Sequence, residues 1–332
     1  MAAGLVAAKR QAQEVAQQCA AFGNYYVETA ASFSDIDASQ VADSAKQAFD
    51  EVSLWLRETY LPACSVNDGV GRPRYEREVR KFTGASIDVL ELWQWGWDEL
   101  DRITARMEVA AEKLYPGVTL SDVLVKIEHD ERYLVHGRDN IVKFLEDLTA
   151  RTTEEMRAHF TIPDSISQCD VKLAGEGSAS APYYQPPSED LSRPGSTWLP
   201  TMGKDDFATW HLVSTWYHEA IPGHHLQIAT TVINKDRLSR FQRTMGWTSG
   251  YGEGWALYAE RLMDELGYFS DPGYELGFLS DQALRAARIV VDIGMHLGLT
   301  VPTSQKYETA GIDRKSTRLN SSHVALSRMP SS

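Results

Sequence analysis

The stretch Trp216-Tyr217-His218-Glu219-Ala220-Ile221-Pro222-Gly223-His224-His225-Leu226-Gln227 constrains this chain more than any other. Three of the nine histidines and a carboxylate crowd into eight residues, with a proline among them. A histidine followed at once by glutamate, with another histidine a turn or two on, is how a helical zinc hydrolase sets two imidazoles and a general base around one ion. In the usual H-E-x-x-H pattern the histidines lie at i and i+4, about 40° apart around the helix and about 6 Å along it. Here the offsets from His218 are six and seven. On an unbroken helix His224 would point about 120° away from His218, and His225 would lie about 10.5 Å further along. Neither fits bonds of about 2.0–2.1 Å to a shared metal.

A regular helix is therefore excluded, and Pro222 supplies the break. It has no N–H for the carbonyl of His218, and its ring clashes with that carbonyl. Gly223 then accepts the backbone angles the distortion needs. If the break loops out two residues, His224 becomes the second ligand, which is the preferred reading. If it loops out three, His225 takes that place. The third ligand is expected from the helix at Ser249–Glu260, where Glu253 and Glu260 are seven apart and share a face with Ala256 and Leu257. An acidic pair on an apolar face calls for a cation.

HEAIPGHHLQ followed by GYGEGWALYAERL resembles the bacterial domain-of-unknown-function 885 family. That family is similar in layout to zinc carboxypeptidases of the Taq type and to thimet-like oligopeptidases. The likeness takes in Tyr183–Asp190, Ser192–Gly195 and Arg285–His296, and runs roughly from residue 40 to 312. It implies a mainly α, multi-helix, zincin-like fold of the gluzincin type, and a metal-dependent hydrolase. Because the longer histidine spacing is itself a family trait, it does not choose between His224 and His225.

Composition sets the outer bounds. With 332 residues, 43% apolar and 24% charged, the chain can bury a sizeable core. A formal net charge of −13 argues against nucleic acid and anionic membrane surfaces as partners. No apolar run is long enough to span a bilayer. Met1–Ala8 is followed by Lys9 and Arg10, the reverse of a secretory leader's order, so the cytoplasm is the expected location. Cys19, Cys64 and Cys169 are odd in number and far apart, which suits neither a disulfide framework nor a cysteine zinc site. From Asp313 onward apolar periodicity is lost and the residues read like a translated sequencing adapter. Residues 313–332 are set aside as non-native, and the chain is expected to be a fragment of a longer protein.

The remaining pattern predicts an N-terminal helical region over 1–160 and a second region over 161–312 that carries the metal helices. Helices are expected at Ala38–Tyr60, from a Ser86 cap to Leu114, at Ser121–Glu131 and at Arg138–His159. Trp93, Trp95 and Trp97 alternate, so at least one must lie off the buried face. Short β-rich segments at Asp170–Ala174, Ala181–Tyr184 and Thr197–Leu199 predict a small sheet or hairpin just before the metal helix, with an edge able to hold a substrate backbone. That helix is expected to start at Phe207. In the last helix Arg288, Asp292 and His296 follow one another at i, i+4 and i+8, and together with the family resemblance they read as a buried polar line aimed at the site.

The combined expectation is one zinc ion on His218, His224 and Glu253, with Glu219 as the catalytic base. Tyr251 and His296 are the candidate oxyanion donors, and Arg288 and His225 the candidate substrate contacts. The substrate would be a short peptide or other amide, cut by a carboxypeptidase or oligopeptidase. Two alternatives stand beside it: a non-haem iron enzyme on the same ligands, and an inactive metal-binding module.

Overall fold

The computed structural model describes residues 6–175 and 179–302. The adapter-like tail over 313–332 lies outside them. The molecule is mainly helical with two small sheets. The described residues form two compact units, divided after Tyr75 and after Asp292. This partition differs from the boundary at 160 that composition suggested.

The first unit is built on α1 (Lys9–Ala31) and α2 (Ser39–Trp55), which pack against each other. Small residues make the seam: Ala12, Ala16 and Ala42 are buried, and Ser53 Oγ donates to Ala16 O at 2.6 Å. Phe49 stacks on Tyr26 and tilts against Phe22 beside that seam. The helical path continues from Trp55 through a wide turn to Ala63, so Pro62 sits in its last turn rather than beyond its end. The same unit holds Val70, Tyr75 and His296. The imidazole Nδ1 accepts from Val70 N at 3.3 Å, and its ring stacks on Tyr75.

The second unit runs from Glu76 to Asp292. The chain passes between the units within α3 (Arg72–Thr83) and within α11 (Pro272–Leu297). Next comes α4 (Val89–Leu114), capped by Asp88 and not by Ser86. The Asp88 carboxylate accepts from Leu90 N and Glu91 N, two of the donors a helix start leaves unpaired. Of its alternating tryptophans Trp97 is buried, Trp95 is exposed, and half-buried Trp93 donates its indole N–H to Val290 O at 3.1 Å. Then follow α5 (Leu120–Ile127), β1 (Leu134–His136) and α6 (Arg138–Met156).

β2 (Cys169–Ala174), β3 (Tyr183–Gln185) and β4 (Gly195–Pro200) form a sheet ordered β2-β4-β3, with β4 parallel to β2 and antiparallel to β3. β5 (Asp206–Ala208) pairs antiparallel with β1, so the helix expected from Phe207 starts at Thr209. α7 (Thr209–Glu219) is buried along most of its length. Trp210 donates to Glu128 and Trp216 to Thr149 Oγ1, so each large ring enters the core with its one polar atom satisfied. At about 25 cal/mol per Å2, burying 150–250 Å2 gives each an upper bound of about 4–6 kcal/mol. Against α7 lies α11, where a Cβ on Gly277 would come within 1.8 Å of Trp210 O, so only glycine lets the two backbones meet. After α8 (His224–Ile233) come the short α9 (Arg240–Thr244) and α10 (Ser249–Glu265). No helix among the described residues is long and apolar enough to cross a membrane.

Candidate metal centre

α7 ends at Glu219, and after four intervening residues α8 begins at His224. The break falls where Pro222 and Gly223 demand it, across a cis Ile221–Pro222 peptide. His225 N bonds back to Ala220 O at 3.0 Å, which closes the loop tightly. Gly223 lies so close under α7 that a Cβ there would be 1.9 Å from His218 O. That approach sets His224 beside His218, with ring centroids 4.7 Å apart and planes nearly perpendicular. Trp255 of α10 donates its indole N–H to Pro222 O at 2.9 Å and fastens the break to the helix that supplies the third group.

Glu253 stands on α10 just past its first turn. One of its oxygens is 3.3 Å from His218 Nε2 and 3.6 Å from His224 Nε2. One ligand atom from each of His218, His224 and Glu253 can be chosen so that all lie within 4.8 Å of one another. Glu219, buried beside them, has an oxygen 4.0 Å from His218 Nε2. Burial is the largest influence on both groups of the α7 pair. It raises the Glu219 carboxyl, and it works downward on His218, where Glu253 and Glu260 outweigh it and lift the imidazole to about 9. Glu253 is held well below the usual carboxylate range by the two histidines. Two carboxylates around His218 hold a positive charge at this point.

Behind His218 stands Glu260, fully buried. One oxygen is 2.6 Å from His218 Nδ1, so that nitrogen keeps a proton while Nε2, which faces Glu253, is the one a metal would use. The other oxygen accepts from Arg285 at 2.7 Å, Gln282 at 3.0 Å and Ser214 at 3.2 Å. Glu260 thus pairs with His218 and Ser214 of α7 and does not join Glu253, and Arg285 supplies its counter-charge. The sequence contains the signal for this, an arginine seven residues before Asp292, but spacing alone does not say which helix face is inward.

A cavity of about 720 Å3 is lined by Glu219, His224 and Glu253, by Tyr251, and by the β3 segment at Tyr183 and Tyr184. Tyr251 is exposed at its wall. Gln227 also lines it, and its buried Oε1 makes no hydrogen bond among the described residues.

Three of the expected site residues stand elsewhere. His225 is fully buried behind the cluster and does not line the cavity. Its Nε2 donates to Ile166 O at 2.8 Å and its Nδ1 accepts from Tyr184 at 2.9 Å, while burial pushes it down to about 4. It is a neutral structural node and has no nitrogen left for substrate or metal. Arg288 and Asp292 are exposed on α11 and form no buried line. His296 belongs to the first unit, on Val70 and Tyr75, and its Nδ1 is used there.

Two solved structures share this fold. One, described as a "putative lipoprotein" from Colwellia psychrerythraea, is 22% identical with a TM-score of 0.74, over 97% of this chain and 60% of that one. The other, described as a "putative lipoprotein of unknown function" from Shewanella oneidensis, is 16% identical with a TM-score of 0.64, over 97% of this chain and 63% of that one. This chain spans about six-tenths of the length of each. No curated protein matches it. A family model described as "Bacterial protein of unknown function (DUF885)" matches residues 1–317, which is wider at the N-terminus than the motifs suggest, and the chain belongs to that family.

Proposed function

We propose that the protein is a zincin-like, metal-dependent hydrolase of amide bonds in short peptides, with one zinc ion on His218, His224 and Glu253. The observation that carries this reading is the convergence of those three ligand groups within 4.8 Å, with Glu219 beside them on the wall of one cavity. The donor set fits zinc: two imidazoles and one carboxylate leave a position open, as catalytic sites require. The Glu260 bond to His218 Nδ1 fixes the tautomer that leaves Nε2 for a metal. When bound, zinc would supply Lewis acidity toward a carbonyl oxygen and toward water.

The chain's own groups divide the rest of the work. Glu219 takes a proton from the attacking water and returns it to the leaving nitrogen, so that hydroxyl ends on the carbonyl carbon and hydrogen on the amine. Tyr251 can donate to the developing oxyanion from the cavity wall. Gln227 Oε1, buried and without a partner among the described residues, offers an acceptor for a substrate N–H. β3 is an edge strand whose Tyr183 and Tyr184 line the cavity, which suits a peptide backbone added alongside it. Iron would use the same three ligands; metal analysis of protein purified without added metal separates the two.

The test is Glu219→Gln in the full-length protein. Zinc stoichiometry should stay at one while peptide hydrolysis falls below detection. Turnover retained in a zinc-loaded variant would remove Glu219 from the mechanism. Zinc content without any amide turnover in the wild type would leave an inactive metal-binding module. The two neighbours described as lipoproteins make the cell envelope as natural a home as the cytoplasm expected from the sequence, and fractionation of the full-length protein decides between them.

A further inference from the structure

The cavity that holds Glu219, His224 and Glu253 also has Arg243 and Glu189 in its wall. Arg243 is only 11% exposed. Its position is well determined: α9 starts with a reciprocal cap, in which Ser239 Oγ accepts from Gln242 N and Gln242 Oε1 accepts from Ser239 N. Glu189 is equally fixed, because the next residue, Asp190, accepts from Ser188 Oγ, Ser192 N and Ser192 Oγ and so ties its turn together.

Arg243 is nevertheless poorly satisfied. It reaches Glu189 at 3.4 Å, Leu238 O at 3.4 Å and Val232 O at 3.5 Å, all beyond the usual range for a charge-assisted bond. Its Nη2 makes no hydrogen bond among the described residues. The other enclosed arginines of this unit behave differently. Arg285 meets Glu260 at 2.7 Å and Arg106 meets Asp264 at 2.6 Å. Glu189 is nearer to Arg240, at 3.0 Å, and Arg240 is 79% exposed. One carboxylate is therefore shared between two guanidinium groups, and the more enclosed one holds it less closely. Around Glu189, then, two guanidinium groups face one carboxylate, a local positive excess in a cavity whose other lining carboxylates are Glu219 and Glu253.

We propose that Arg243 is the specificity-determining residue of this cavity and selects peptides by a free α-carboxylate. The planar guanidinium offers two parallel donors that match a carboxylate. A cavity of about 720 Å3 has the size of pockets that enclose one small ligand, so a carboxylate on Arg243 belongs to the same short molecule whose amide reaches Glu219. The inference rests on the amide-hydrolase reading, makes it a carboxypeptidase, and transfers to Arg243 the part that spacing had given to Arg288.

The experiment measures binding, so that it does not depend on turnover. Zinc-loaded full-length Glu219→Gln protein is titrated calorimetrically with acetyl-Ala-Ala, with acetyl-Ala-Ala-amide, and with acetyl-Glu-Ala-amide, which carries its carboxylate on a side chain. The free acid should bind roughly 10- to 100-fold more tightly than either amide. Adding Arg243→Ala should bring the three within about threefold, Arg243→Lys should restore only part of the gap, and Glu189→Gln should widen it, because it releases the guanidinium. Equal binding of free and amidated peptides, no binding of any of them, or an Arg243→Ala loss that falls on all three alike would overturn the proposal. Tight binding of the side-chain acid would overturn the α-carboxylate assignment. A carboxylate preference in a protein whose wild type hydrolyses nothing would refute the hydrolase reading and leave the Arg243 assignment standing.

Discussion

Replacing Gly223 with alanine tests the proposed metal centre at its most exacting point. The added methyl would sit 1.9 Å from His218 O, and ordinary contact begins at 3.4 Å, so α7 and the start of α8 must separate by about 1.5 Å. Zinc ligand distances tolerate about 0.2 Å. The displacement falls directly between the first two ligands, His218 and the neighbouring His224, and cannot be absorbed by a flexible side chain because the atom met is backbone. Misplacement of a reactive group by about 1 Å can cost about 100-fold, so zinc affinity should fall by at least that factor. A matched control lies in α10. Gly254 has nothing within 4 Å of its would-be Cβ, and alanine there should leave zinc affinity unchanged while stabilising the helix by about 0.5–1 kcal/mol. The assay is competition for zinc against a chelator, with urea unfolding of the metal-free proteins alongside. Wild-type zinc affinity in Gly223→Ala would refute the argument that this glycine sets the ligand geometry. Equal losses in both variants would show that the effect is general destabilisation.

Two further outcomes follow from charges on the page. Arg285→Met strips the buried Glu260 of its counter-charge, and breaking a buried pair by removing one partner costs about 3–5 kcal/mol. Partial exposure of Arg285 puts the expected loss near 3 kcal/mol of unfolding free energy, read from urea denaturation; a loss under about 1 kcal/mol would show that Gln282 and Ser214 suffice for Glu260. His136, which joins β1 to β5, is raised above its ordinary value chiefly by Asp206 and secondly by Glu131. Its stabilising contribution is therefore fully present below the unfolded value of about 6.5 and is lost as pH rises through the higher folded value. An NMR titration should place the His136 midpoint above 6.5 and lower it in Asp206→Asn; a wild-type midpoint at or below 6.5 would refute the coupling.

What could be read from the sequence followed from local chemistry. Pro222 and Gly223 announce a break because one lacks a donor and the other tolerates close approach, and α4 ends at Leu114, just before Pro116. What could not be read depended on partners distant along the chain. Ser86 and Asp88 are both good caps, and only the reach of a side chain to Leu90 N and Glu91 N separates them. Asp206–Ala208 looks like the start of a helix until it meets Leu134–His136, some 70 residues earlier, and pairs as a strand. The division after Tyr75 depends on packing of the kind that puts His296 against Val70, 226 residues away, which no periodicity encodes.

The arginines of α11 show how a correct spacing can still mislead. Arg288, Asp292 and His296 do share a face, as i+4 neighbours must. Their orientation, however, is set by the apolar seam, whose buried members Leu276, Leu279, Ala283, Ala286, Val290 and Ile293 recur every three or four residues. At about 100° per residue, Arg288 lies about 200° from both Ala286 and Val290 and faces away from the seam, while Asp292, about 100° from Ile293, is on its flank and exposed. Arg285 lies only about 100° from Ala286, on its flank, with Gln282 one turn earlier, and these two reach Glu260. The polar line exists, but it is the one at 282 and 285. No rule of helix angles finds it from the sequence, because Arg285 and Asp292, seven residues apart, point within about 20° of each other, and Glu260 beside the first is what encloses it. No such rule would have found Arg243, whose place in the cavity wall depends on a reciprocal cap and on a turn at Ser188–Ser192 that the chain reaches fifty residues earlier.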